Sequence, residues 1–343
     1  MKIRLGTFNL FQFVEPPCSW YTRKGKFNNS QWFEKTAWIK DRITEMDCHI
    51  IGFQEVFSQG ALKGLVEELG YHYFETVDTA KLSTNDKMRY VTTTVALASK
   101  YPVTAIEEVG VHQPSIEKHH LEDPFHFSRI PIKATIALPN EKELLVYVCH
   151  LKSNRQNEFE YIFNGQHTLE HKKEVVSKAL QGRYAKALKQ RLCEASSLFF
   201  DIERSGNRPA VLLCDLNDKA FSITIDALSN NRYHDNTAGK ERYLLHDAAH
   251  QYRRPVHNPH PEAKEPQRTA TSYFLGKGNV LDYIFISDHF DRNNKDRMAE
   301  VTGYTVLNDH LQRNRNGSLL TSDHAQVVCE LTFGCKEDPD PKP

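Results

Sequence analysis

Short apolar, β-branched runs recur along this chain, and they limit what it can fold into more than any other feature. Residues 3–10 (IRLGTFNL) alternate apolar and polar positions, as a strand with one covered face does. The runs 50–53 (IIGF), 90–99 (YVTTTVALAS), 130–138 (IPIKATIAL) and 144–151 (LLVYVCHL) read as further strands. So do 210–214 (AVLLC), 280–286 (VLDYIFI) and 326–333 (QVVCELTF). Helices are fewer. After a polar loop over 15–29, Asn29 or Ser30 can cap a helix whose Trp32, Ile39, Ile43 and Met46 recur at helical spacing. Residues 166–204 read as long helices with Leu188, Leu192 and Ala195 on one face, and 229–275 is a long, polar, irregular stretch. Strands outnumber helices and several follow one another directly. That pattern favours an α/β fold with two mixed, mostly antiparallel sheets packed face to face and helices outside, over a doubly wound parallel sheet.

The 343 residues divide arithmetically into about two average domains, but large sandwiches exceed this as single units. The expectation is one domain over 1–335, followed by a charged, Pro-rich tail over 336–343 that frays. Lys plus Arg and Asp plus Glu both total 44, so the formal net charge is zero and no bulk field draws the chain to nucleic acid or acidic lipid. A polyanionic substrate must therefore be held by a local patch. No apolar stretch approaches the roughly 20 residues needed to cross a bilayer, and MKIRLGTFNL lacks the apolar centre of a leader peptide. Seven cysteines without paired spacing make no disulfide framework. A reduced, cytoplasmic protein with no membrane contact and no obligate protein partner is expected.

The polar residues fall where the strands end. Asn9 closes the first run and Glu55 the second; His150 ends LLVYVCHL, and Asp215 and Asn217 follow AVLLC. Asp282 opens a further strand, and Asp323 with His324 precede the last. Ionised groups beside apolar strands are costly unless paired or bound to a metal, so this repetition points to one shared pocket. Its chemistry suits metal-assisted phosphodiester hydrolysis. Hard oxygen ligands such as Glu55 and Asp323 fit Mg²⁺ or Mn²⁺. Asp215 can hold and deprotonate a water, Asn217 can fix that water or the phosphate, and Asp282 can set the tautomer of His324. His150 can donate to the phosphate or the leaving oxygen.

The ordered set TFNL (7–10), QE (54–55), FSR (127–129), CHL (149–151), DLN (215–217), LDYIFIS (281–287) and SDH (322–324) resembles the endonuclease/exonuclease/phosphatase superfamily. The likeness implies a four-layer α/β/β/α sandwich with the site at one edge of both sheets. It implies Asn9 as the first-strand asparagine, grouped with Glu55 and Asp323 at the metal. It also implies His150 as a phosphate-contacting histidine, Asp215 and Asn217 as the water-activating pair, and Asp282 as the partner of His324. Arg129 in FSR-x-P resembles an arginine set against substrate phosphate, and HLKS (150–153) makes Lys152 a second phosphate contact. Phe11 stands where abasic-site enzymes carry an aspartate, Cys214 replaces a usual glycine, and the tryptophan-x-aspartate-arginine segment of inositol 5-phosphatases is missing.

Other features compete for attention. HDAAH (246–250) has two histidines four apart, but its acid is Asp247 where zinc peptidases need glutamate, and His257 and His260 lie among prolines in loop sequence. RYAKALKQR (183–191) places Arg183, Lys186, Lys189 and Arg191 on a helix, as a solvated face or a nucleic-acid contact. Trp20, Tyr21, Arg23, Lys24 and Lys26 occupy the loop after the first strand, where they can overhang the site and stack on bases. The expected activity is a nuclease, with DNA as substrate and partner, acting by a single in-line attack of water. The alternative is a phosphatase or phosphodiesterase on a small-molecule or lipid-linked phosphate, and behind it stand an inactive nucleic-acid-binding relative and a zinc peptidase.

Overall fold

The computed structural model describes residues 1–121, 124–153, 162–181, 185–234, 241–252, 268–311 and 319–334. In chain order its principal elements are β1 Lys2–Phe13, α1 Asn29–Met46, β2 Ile50–Val56, α2 Gln59–Glu68, β3 Tyr73–Glu75, β4 Thr94–Ser99, β5 Val103–Glu108, β6 Ile132–Ala137 and β7 Glu143–His150. There follow α3 Leu169–Leu180, α4 Lys186–Arg204, β8 Ala210–Asp215, β9 Leu245–Asp247, β10 Asp282–Ser287, β11 Ala299–Leu307 and β12 Gln326–Phe333.

These strands form two six-stranded sheets, ordered β11-β12-β1-β2-β4-β3 and β9-β10-β8-β7-β6-β5. Each sheet contains one parallel pair, β1 with β2 and β7 with β8, and is otherwise antiparallel. Strand alternation explains the layering. Leu5, Leu97, Val146, Leu213, Ile284 and Val327 point between the sheets and are buried there. The other face of the first sheet, with Phe8 and Phe53, lies under Ile39, Ile43 and Met46 of α1 and Leu62 of α2. The other face of the second, with Tyr147, Leu212 and Tyr283, lies under Leu188, Leu192 and Ala195 of α4. The result is the expected α/β/β/α sandwich.

Local chemistry sets the entries to these layers. Asn28 caps α1, one residue before the expected Asn29 or Ser30: its side chain accepts from the Gln31 N–H, and Gln31 answers on the Asn28 N–H. Gly52 marks a close approach of the two sheets. A Cβ there would lie 2.9 Å from Leu213 Cβ and 3.0 Å from Val148, so no side chain fits without moving the neighbouring sheet.

Within the run 90–99 the sheet strand begins only at Thr94, and β3, β5, β9 and β11 were not foreseen. All four unforeseen strands lie at sheet edges. Most of β5 is exposed, and alternate exposure interrupts β11, so neither carries the continuous apolar signal of a central strand. No helix among the described residues is long and apolar enough to cross a membrane. The tail over 336–343 lies outside the described residues.

Candidate active site

Pairing register carries the polar strand ends to one edge. The parallel β1–β2 pair sets Asn9 opposite Gln54, next to Glu55; the parallel β7–β8 pair sets His150 opposite Asp215; and β10, antiparallel to β8, sets Asp282 opposite Asp215. The turn before β12 is tied to the same edge, because the Ser322 hydroxyl donates to the Asn9 carbonyl at 2.6 Å and accepts the His324 N–H at 3.0 Å. Residues 313 positions apart in sequence therefore meet through strand register and one serine.

The centre of the site is buried and internally bonded. Asn9 Nδ2 donates to Asp215 Oδ2 at 2.9 Å, and the Asn217 N–H to Asp215 Oδ1 at 2.8 Å. His150 Nε2 lies 3.4 Å from Asp215 Oδ2. His324 Nδ1 lies 2.9 Å and 3.1 Å from the two oxygens of Asp282 and 3.9 Å from Asp215 Oδ2. Asn217 Nδ2 reaches the Leu151 carbonyl at 3.1 Å. Asp215, Asp282 and His324 present ligand atoms within 4.8 Å of one another, a grouping able to hold a metal ion.

Glu55 and Asp323 flank this centre. A bulge in β1 between Asn9 and Phe13 turns the Gln12 N–H onto Glu55 Oε2 at 2.8 Å. Phe11, Gln12 and Glu55 all have positive φ (52°, 59° and 58°), as do Tyr21, Asn217 and Phe221 in neighbouring loops. Such strain persists where surrounding contacts over-determine the backbone, and here it gathers about the strand ends. Asp323 Oδ1 is buried without a hydrogen-bond partner, as is His150 Nδ1. An orphaned buried carboxylate oxygen is a donor free to coordinate a cation.

The electrostatics follow from burial and crowding. Burial pushes Asp215 up to about 7; the nearby Asp282 charge adds to this, and His324 opposes it. Burial likewise pushes Asp323 up to about 6, with His324 opposing and the Glu55 charge reinforcing. Burial alone would lower His324, but the Asp282 and Asp215 carboxylates override it and hold the imidazole well above its ordinary value. His150 goes the other way: burial, then the Arg129, His324 and Lys152 charges, keep it neutral.

The rim holds the two expected cations. Arg129 Nη1 donates to the Leu151 carbonyl at 3.3 Å and its side chain is hydrogen-bonded to Tyr21, which also feels the Glu55 charge. Of the aromatic and basic loop, only Tyr21 is placed at the site by these contacts. Trp20 is buried against Phe27, and Arg23 pairs with Asp86 at 2.9 Å.

One residue behind the site had not been singled out. Lys35, fully buried on α1, donates from Nζ to the Leu319 and Thr321 carbonyls at 3.0 and 2.9 Å, bracing the segment that carries Asp323. Its position on the same stripe as Ile39 and Ile43, spaced i, i+4, i+8, was the available signal. Arg191, read as part of a basic surface, is instead 2% exposed and turned inward, on the stripe that holds Leu188 and Leu192. The solvated-face reading fails for it, while Lys186 is exposed and Arg183 lies outside the described residues. The HDAAH motif is not one helix: His246 belongs to β9 and bonds Asp288 at 2.6 Å, so the two histidines do not share a helical face. His257 and His260 lie outside the described residues.

A sequence model of the Endonuclease/Exonuclease/phosphatase family matches residues 6–324. Curated protein sequences give no match. Among solved structures, the human Nocturnin catalytic domain with bound sulfate is similar at 14% identity and TM-score 0.56, over 97% of this chain and 94% of that one. An endonuclease/exonuclease/phosphatase family protein from Bacteroides thetaiotaomicron is similar at 16% identity and TM-score 0.53, over 98% and 99%. A truncated Caenorhabditis elegans TDP2 is similar at 12% identity and TM-score 0.53, over 97% and 98%. These likenesses show a shared fold. With a match across nearly its whole length, the chain belongs to the Endonuclease/Exonuclease/phosphatase family, whose members are hydrolytic phosphoesterases that use divalent metals.

Proposed function

We propose that this protein is a divalent-metal-dependent phosphodiesterase acting on DNA, with Mg²⁺ or Mn²⁺ as its ion. The observation that carries the reading is a buried carboxylate–imidazole cluster, Asp215, His150, Asp282 and His324, set beside a carboxylate with an unpartnered buried oxygen, Asp323.

The donor set fits a hard cation. Glu55 has one oxygen taken by the Gln12 N–H and a second left over, and Asp323 Oδ1, 4.0 Å from His324 Nε2, has no hydrogen-bond partner. The Asn9 amide is largely engaged in orienting Asp215, though Oδ1, which accepts only the Phe11 N–H, keeps a second lone pair for an ion. Bound there, the ion would polarise a phosphoryl oxygen and neutralise charge on the leaving group.

The remaining chemistry belongs to side chains. Asp215, raised to about 7 and fixed by Asn9 and the Asn217 N–H, is a base of suitable strength to take a proton from the attacking water. As that oxygen bonds to phosphorus, the P–O bond to the leaving group breaks in line. His324, held protonated by Asp282, donates to a phosphoryl oxygen, and neutral His150 offers Nδ1 to the substrate. Asn217, tied to the Leu151 carbonyl, fixes the water from the other side. Arg129 and Lys152 bind the phosphate oxygens, and Tyr21 gives a flanking sugar or base an aromatic surface.

A second reading, a phosphatase or phosphodiesterase on a small or lipid-linked phosphate, is favoured by one observation. With Arg191 turned inward and zero net charge, the long basic footprint of many DNA-binding proteins is weakened. Nicking of supercoiled plasmid, compared with release from p-nitrophenyl phosphate, tests the choice. The DNA reading predicts Mg²⁺-dependent nicking and little monoester turnover; the reverse pattern overturns it in favour of the second.

A further inference from the structure

Glu194 lies in the part of α4, residues 191–199, that is buried on all sides, and belongs to none of the groups assigned above. It is 1% exposed. A carboxylate is costly in such a place unless fully hydrogen-bonded, and here it is. Oε1 accepts the Ser128 N–H and Oε2 the Lys152 N–H, both at 2.7 Å. Gln190 Nε2 bridges Glu194 Oε1 at 3.0 Å and the His126 carbonyl at 2.9 Å.

Arg191, one turn earlier, completes the strap. Its Nη1 donates to the Lys152 carbonyl at 3.0 Å and its Nε lies 3.4 Å from Asp218, which the Thr224 hydroxyl also holds at 2.6 Å. Three segments are thereby tied to one helix: 126–129 with Arg129, 150–152 with His150 and Lys152, and 215–218 with Asp215 and Asn217. Arg129 crosses back to the Leu151 carbonyl, which locks the first two side by side.

We propose that Glu194 is a positioning residue for phosphate binding, fixing the spacing between the Arg129 and Lys152 backbones so that both cations meet one phosphate. The inference rests on the phosphodiesterase reading above. Apolar packing alone would be met by another leucine at this position. A carboxylate, with one oxygen for each N–H, holds two backbone N–H groups from different segments at the separation of its two oxygens. Misplacing a binding group by an ångström is enough to cost substantial rate.

The test is kcat and KM for bis-p-nitrophenyl phosphate at saturating Mg²⁺, in the wild type, Glu194→Gln, Arg129→Ala and the double variant. Glu194→Gln, folded by circular dichroism, is expected to lose about tenfold in kcat/KM, because the amide offers one of the two N–H groups a donor instead of an acceptor. In the Arg129→Ala background the same change is expected to cost less than about threefold, since one of the two cations whose spacing it fixes is gone. An equal loss in both backgrounds overturns the positioning role. A wild type without turnover, or an Arg129→Ala variant at full rate, overturns the underlying reading instead. If Glu194→Gln does not fold, Gln190→Ala at the half-buried end of the strap replaces it. The expected result is then a loss of about twofold to threefold that disappears with Arg129→Ala; a loss unchanged by that background overturns the proposal.

Discussion

At the scale of single residues, the proposed site works by setting neighbouring ionisable groups at different protonation states. His324 is held charged by two carboxylates and His150 is held neutral by burial and three neighbouring cations, although both rings lie against Asp215. Asp323, raised to about 6 by burial, gives the proposed metal site a sign that can be checked. The proton and the cation compete for this carboxylate. Below its pKa the proton wins, and above it the cation binds without displacing one. Mg²⁺ affinity by titration calorimetry is therefore expected to be about tenfold weaker at about pH 5 than at about pH 7, and Asp323→Asn is expected to flatten that dependence. Equal affinity at both pH values would remove Asp323 from the ion. Most of these residues were legible in the sequence, because an ionisable group at the end of an apolar strand has few innocent explanations. Lys35, Arg191 and Glu194 were not. Each sits inside a helical stripe of apolar residues, where a charged side chain is easily taken for one that has slipped to the surface.

At the scale of elements, register does the assembling. One parallel pair in each sheet places Asn9 beside Gln54 and His150 beside Asp215, and a one-residue slip in either would turn the site residues to the opposite faces. The sheets hold that register partly by meeting closely at Gly52, two residues before Gln54. Gly52→Ala forces a methyl against Leu213 and Val148. It is expected to lower stability by about 1–3 kcal/mol, read as a lower denaturant midpoint, and to lower activity through the displaced Glu55. An unchanged midpoint would mean that the sheets have slack there. Central strands such as β8 and β12 were legible because both faces are covered and their apolar runs are unbroken. The edge strands β5 and β11 were hidden for the opposite reason, since exposed positions dilute the alternation on which strand reading depends.

At the scale of the whole molecule, three buried apolar layers run through the sandwich, one between the sheets and one under each helical face. Strands from the first and last thirds of the chain pair directly, β1 with β12, so neither end can leave without opening the first sheet. We read residues 1–335 as one folding unit on this basis. Denaturant unfolding is expected to show one transition by both tryptophan fluorescence and far-ultraviolet circular dichroism; two separated transitions would divide the chain. The layered architecture followed from the count and adjacency of apolar runs, whereas the substrate does not follow from architecture, because this fold hosts many phosphoester chemistries.

The central claim, that these strand ends form a metal-dependent hydrolytic centre, is tested most directly by turnover of bis-p-nitrophenyl phosphate while Mg²⁺ is titrated against EDTA, in the wild type, Asp215→Asn and His324→Ala. The account predicts hydrolysis that stops in EDTA, returns with excess Mg²⁺, and falls by at least about 10²-fold in each variant. Hydrolysis that persists in EDTA, or that either variant carries out at the wild-type rate, would contradict it.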